Sequence, residues 1–115
     1  LGLGIIGSRV AGCLRAAGHT VFVWNRTPKA EPQFLPSPEE VARRASIIQI
    51  FVRDDEALQS VLEQMAPALG EGHLVMNHAT VSPEATRAAA AFCQACGADF
   101  LDAPFTGSKL AAQNG

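Results

Sequence analysis

Three glycines, Gly2, Gly4 and Gly7, run directly into an apolar stripe, Ile6, Val10, Cys13, Leu14 and Ala17, whose spacings of three and four mark a helix with one buried face. No other feature restricts the chain as much. In a G-x-G-x-x-G that opens a helix, the first glycine permits a tight turn and the second lets an anion touch backbone. The third brings helix and strand close together, and the N–H groups and dipole of the helix start attract a phosphate. Alone the pattern is weak, because a glycine-rich turn is more often only a turn.

The next element strengthens it. Gly18 ends the helix, and Thr20-Val21-Phe22-Val23-Trp24 reads as a short buried strand running into Asn25-Arg26-Thr27, which supplies most of a βαβ unit. In such units an Asp or Glu about 20 residues past the glycines accepts hydrogen bonds from the ribose 2′-OH of NAD. Here that place holds Asn25, which has no charge to repel a phosphate, and Arg26 beside it can grip one bidentately. The pair favours NADP over NAD; the blander reading of Arg26 is a solvated turn residue.

The α/β alternation continues. Pro28 to Pro32 is too brief for a full crossover helix, and Gln33-Phe34-Leu35 reads as a short third strand. Ser37-Pro38-Glu39-Glu40 gives an N-cap, a first-turn proline and a capping-box glutamate, so a helix is expected from Pro38 to about Ala45. Ser46 to Val52 is a nearly continuous apolar run, expected as a parallel strand covered on both faces. Leu58, Val61, Leu62 and Met65 follow at helical spacing until Pro67 and Gly70. His73 to Asn77 is a further strand, Ser82-Pro83-Glu84 caps a helix reaching Gly97, and Ala98 to Leu101 is a last strand. That strand delivers Asp102 to Ser108 to the carboxyl edge of the sheet, where ligands of doubly wound folds bind.

At 115 residues, 48% hydrophobic and 17% charged, the chain reads as one domain, 1–115, with material for a real core. The formal net charge of −2, six Phe, one Trp and no Tyr give neither a phosphate-backbone footprint nor a base-stacking platform, so nucleic acid is not the expected partner. No stretch has the length of a membrane span and no signal segment opens the chain, so the expectation is a cytoplasmic protein with no membrane partner. Three cysteines argue against a disulfide framework.

Only Leu1 precedes the first glycine, where a dinucleotide fold needs a strand. The expected fold is therefore an α/β, Rossmann-type doubly wound parallel sheet, truncated before its first strand. That strand is central in the order 3-2-1-4-5-6, so its absence should leave an open slot lined by unpaired backbone. Gln113-Asn114-Gly115 likewise stops just after a helix has begun.

These motifs, in order, resemble a known family. The glycine turn, Ala17-Gly18-His19, Val23 to Thr27, Thr80-x-x-Pro83 and Asp102 to Ser108 look like the N-terminal domain of the β-hydroxyacid dehydrogenases, along the whole chain. That group includes 3-hydroxyisobutyrate dehydrogenase, tartronate semialdehyde reductase and the glyoxylate/succinic semialdehyde reductases. The resemblance implies NAD(P)-dependent hydride transfer between nicotinamide and a small carboxylate-bearing aldehyde, semialdehyde or β-hydroxyacid, in a homo-oligomeric protein. Gly2, Leu3, Gly4, Ile5, Ile6 and Gly7 would cradle the pyrophosphate. Asn25, Arg26 and Thr27 would hold the adenosine ribose and its 2′-phosphate, Phe51 and Val52 would lie along the cofactor through their backbone, and Thr80 would stand beside the nicotinamide ribose. Thr106, Gly107 and Ser108 match the family loop that binds the substrate carboxylate.

The chain departs from the pattern in three ways. Ala79 replaces the usual serine before Thr80, the crossover after Arg26 is short, and the family's catalytic lysine lies in a helical C-terminal domain beyond Gly115. No catalytic residue is therefore assigned, and Lys109 reads as a solvated or carboxylate-steering residue. Cys93 and Cys96 have redox or metal spacing but sit at a helix end with no second pair, so no metal site is assigned. His78 near Thr80 could donate a proton, although a loop histidine bonded to backbone is the commoner case. His19, His73 and Trp24 read as structural. Two other functions fit: an imine reductase, which shares the cofactor domain, and a non-catalytic NADP-binding or interaction module.

Overall fold

A computed structural model describes residues 1–105, 112 and 114. The elements in chain order are α1 (Ile5–Ala16), α2 (Pro38–Arg44), β1 (Ile47–Ile50), α3 (Asp55–Met65), β2 (Leu74–Asn77), α4 (Pro83–Ala95) and β3 (Asp99–Asp102). The later helices begin at side chains that take up an orphan N–H: Ser37 accepts from Glu40, Asp54 from Ala57 and Ser82 from Ala85. Gly18 and Gly97, at φ +93° and +86°, occupy the left-handed conformation just beyond α1 and α4.

The strands β1, β2 and β3 pair in that order, all parallel, with Ile48 opposite Val75 and Val75 opposite Phe100. Beyond β1 the sheet continues as single rungs. The amino group of Leu1 donates to Gln49 O at 2.7 Å, and Phe51 N–H donates to Leu1 O at 2.8 Å. Gly2 N–H donates to Trp24 O at 2.9 Å, and Val23 bridges Phe34 in parallel. The lateral order Phe34, Val23–Trp24, Leu1–Gly2, β1, β2, β3 is the 3-2-1-4-5-6 order of the doubly wound nucleotide fold.

Thr20–Trp24 and Gln33–Leu35 therefore do not form the expected strands; each supplies one bridge. A strand exists only where a neighbour runs alongside, and next to Thr20–Val23 lies a cavity of about 410 Å³. Val10, Leu14, Val21, Ile47 and Gln49 are among its lining residues. The stripe of α1 faces it, which leaves Val10 and Leu14 half-buried while only Gly7 and Ala11 of the helix are fully buried.

The expectation that the Ser46–Val52 strand is covered on both faces is also corrected. Ile48 and Ile50 pack with Val75, Leu58, Val61, Leu62, Met65, Ala89 and Cys93 in the main core. The opposite face carries Ile47, 60% exposed, and Leu101, 46% exposed, so among the described residues it is open. A second, small cluster of Leu3, Ala11 and Val23 lies beneath α1.

Candidate functional site

The glycine turn divides its labour as the motif requires. Gly2 lies at φ +93°, and a Cβ there would stand 2.0 Å from the carbonyl oxygen of Phe51. At Gly7 a Cβ would meet Gly2 O, again at 2.0 Å, so this glycine lets α1 close on the turn. Gly4 is exposed, and a Cβ built there would meet nothing within 4 Å, so the space over this residue is open to a ligand. The first N–H groups of α1 have no intrahelical partner, and α1 has no capping side chain and no acid in its first turn, unlike α2, α3 and α4. An anion fits this end without displacing a cap.

Leu3 ties the turn to the next segment. Its N–H donates to Asn25 Oδ1 at 2.9 Å, and its carbonyl accepts from Ser8 Oγ at 2.9 Å and Lys29 Nζ at 2.5 Å. Asn25 Nδ2 donates to Thr27 O at 2.8 Å, so the Asn25 amide brackets the glycine turn and the turn after Trp24 into one unit. Leu3 N–H is thereby committed within the chain. Arg26 is exposed and, among the described residues, makes no hydrogen bond or ion pair, whereas Arg15 is paired with Glu31 at 3.0 Å and Arg43 with Glu39 and Glu40. A guanidinium with five N–H donors thus stands uncommitted within the turn that Asn25 closes on Thr27.

Farther along the carboxyl edge, fully buried Asn77 accepts from Ala79 N–H at 3.1 Å and donates to Ala79 O at 3.2 Å and to Asp102 Oδ1 at 3.3 Å. It shapes the turn that presents exposed Thr80. Phe51 N–H donates to Leu1 O at 2.8 Å, and its carbonyl faces Gly2 closely enough that a Cβ there would stand 2.0 Å away. What Phe51 presents is its ring, stacked on His78. Val52 follows it, half-buried, on the loop after β1. Thr106, Gly107, Ser108 and Lys109 lie outside the described residues.

The remaining candidates fall into structural places. His73 accepts from Gly70 N–H at 3.0 Å through Nδ1, and its Nε2 is 2.7 Å from Ala42 O, which it serves as donor. His78 Nδ1 lies 2.9 Å from Ala103 O. Burial, and secondarily the neighbouring Cys96, push the Cys93 thiol up to about 11, which keeps it protonated and inert. Among the described residues no group of three His, Cys, Asp or Glu side chains converges, and no helix is long and apolar enough to cross a membrane. Nothing in the spacing of Lys29, Ser8 and Gln49 signals their contacts with Leu3 and His78, which exist only in the folded chain.

A parallel sheet in this order, an uncapped helix start over an open glycine and a bracketed second turn define a dinucleotide-binding domain. The family model for the NAD-binding domain of 6-phosphogluconate dehydrogenase matches residues 1–115, and the chain belongs to that family. Its resemblance to the N-terminal domain of the β-hydroxyacid dehydrogenases is supported as well. It is 29% identical to 2-hydroxy-3-oxopropionate reductase of Escherichia coli over 100% of this chain and 42% of that protein. It is 30% identical to the cytokine-like nuclear factor N-PAC of Xenopus tropicalis over 100% of this chain and 23% of that protein. Mycobacterium tuberculosis 3-hydroxyisobutyrate dehydrogenase with L-serine superposes at a TM-score of 0.92 and 23% identity, covering 98% of this chain and 41% of that one. An imine reductase of Streptomyces aurantiacus superposes at 0.75 with 26% identity, covering 86% and 37%. The chain thus spans less than half the length of these relatives.

Proposed function

We propose that this chain is the NADP-binding domain of an oxidoreductase acting on a small carboxylate-bearing aldehyde, semialdehyde or β-hydroxyacid. The observation that carries the reading is the open space over Gly4 at the start of an uncapped helix, with uncommitted Arg26 within the bracketed turn. Gly4 to Gly7 would receive the pyrophosphate through N–H groups, and Arg26, with Thr27, would hold the 2′-phosphate. Asn25 acts on this site by fixing the turn. When bound, the nicotinamide accepts or supplies a hydride. On this side of the site the chain supplies the sheet edge at Phe51, Thr80 and the segment from Asp102 into Thr106, Gly107 and Ser108, which would bind the substrate carboxylate with hydroxyl and N–H groups. The reading includes a homo-oligomeric, cytoplasmic intact protein whose general acid lies outside these residues.

The test is NADPH oxidation by the intact protein with glyoxylate and with succinic semialdehyde. Turnover supports the reading, and turnover only with an imine moves it to the imine reductases, to which the superposition at 26% identity also points. NADPH binding without turnover on either class supports a non-catalytic module, the reading favoured by the relatives named as a nuclear factor.

A further inference from the structure

On the face of the sheet opposite the main core, the ring of His78 lies against Phe51 with centroids 4.7 Å apart and 19° between planes. Phe105 closes on both, its centroid 6.0 Å from Phe51 and 6.3 Å from His78. The imidazole is held at each nitrogen: Nδ1 is 2.9 Å from Ala103 O, and Nε2 is 3.0 Å from Gln49 Oε1. A carbonyl oxygen only accepts, so Nδ1 carries a hydrogen. Nε2 meets the Gln49 amide, whose oxygen accepts from an Nε2–H and whose NH₂, with the amide turned, donates to a bare Nε2, so the contact holds the ring in either form.

One side chain on the loop after β2 therefore ties Gln49 in β1, Phe51 just past β1, and the Ala103–Phe105 segment past β3. We propose that His78 is a positioning residue: it holds Phe51 and Ala103–Phe105 in a single aromatic wall at the substrate end of the site, and so orders the segment that runs straight into Thr106. Both ring nitrogens are engaged, so His78 acts through its neighbours and not as a proton donor to substrate. This inference rests on the oxidoreductase reading above, but the bond on which it depends is measurable without it.

In the intact protein labelled with ¹⁵N-histidine, the His78 signals, identified by their loss in His78→Asn, should report a ring protonated at Nδ1. In kinetics, His78→Leu should raise KM for the carboxylate substrate about tenfold, the value of one hydrogen bond to a constrained group, with the NADPH dissociation constant within about twofold. His78→Asn places an amide N–H where Nδ1–H stood and should recover KM to within about threefold of wild type. Gln49→Met, which removes only the second hold, is a milder variant should His78→Leu fail to fold, and should raise KM in the same direction. A ring protonated only at Nε2 overturns the latch whatever the enzyme does. An Asn variant no better than Leu, or an unchanged KM in the Leu and Met variants, overturns the positioning role. Absence of turnover by the wild type overturns the oxidoreductase reading and the positioning role with it, while the nitrogen signals still report on the latch.

Discussion

Leu3 N–H donates to Asn25 Oδ1 at 2.9 Å across 22 residues of chain, and this bond makes the glycine turn and the turn from Asn25 to Thr27 one structural unit. It also separates neighbouring residues: the Asn25 amide is used within the chain, and the Arg26 guanidinium, proposed above to hold the 2′-phosphate, is not.

Asn25→Asp separates those roles. The carboxylate keeps an acceptor for Leu3 but loses the donor to Thr27 O and adds a negative charge beside the proposed 2′-phosphate. NADPH affinity should fall about tenfold or more while NADH affinity changes little, since a charge-assisted contact is worth roughly 1.5–3 kcal/mol. Parallel fluorescence titrations of both cofactors check it; equal losses would place the effect in the fold.

The glycines should separate stability from binding. Gly2→Ala and Gly7→Ala each drive a Cβ to 2.0 Å from backbone, so each should cost on the order of 3 kcal/mol or more in denaturant unfolding. Gly4→Ala meets nothing within 4 Å and should leave the folded state within about 1 kcal/mol of wild type while weakening both cofactors. A melted Gly4→Ala protein would contradict the assignment of Gly4 as the ligand-facing position.

These contrasts show what was legible in the residues. Local signals held: Ser37 and Ser82 begin helices because a side chain caps a donor three residues away, and the glycine spacing encodes contacts within one turn; Asp54 caps α3 in the same way without having been legible in the pattern. Non-local signals failed. Thr20–Trp24 has strand composition but forms one bridge, because a strand depends on the segment beside it, and a cavity lies there. Lys29 on Leu3 O and Gln49 on His78, 26 and 29 residues apart in sequence, could not be read from spacing.

Asp55 predicts an acid dependence. Hydrogen bonds from the Ser82 hydroxyl at 2.6 Å and N–H at 2.9 Å hold its carboxyl below the usual carboxylate range. A depressed folded-state pKa stabilises above the unfolded value of about 3.9, and that contribution is lost as pH falls through the folded value. Asp55→Asn should therefore be less stable than wild type at pH 7, with the difference shrinking towards pH 3, as read by urea midpoints. A difference independent of pH would contradict the pairing.

Cys93 should resist alkylation. With its thiol near 11, only about one part in a thousand is thiolate at pH 8. Peptide mass mapping after iodoacetamide should show half-buried Cys96 modified well before Cys93. Equal rates would show that the α4 end opens readily.

The central claim, that Arg26 makes this an NADP site, is tested most directly by calorimetric titration of NADPH and NADH into the intact wild-type protein and Arg26→Ala. The account predicts that wild type binds NADPH more tightly, and that Arg26→Ala loses about tenfold or more for NADPH with little change for NADH, the loss of a charge-assisted phosphate contact. Tighter NADH binding by wild type, or equal losses for the two cofactors in the variant, would contradict it.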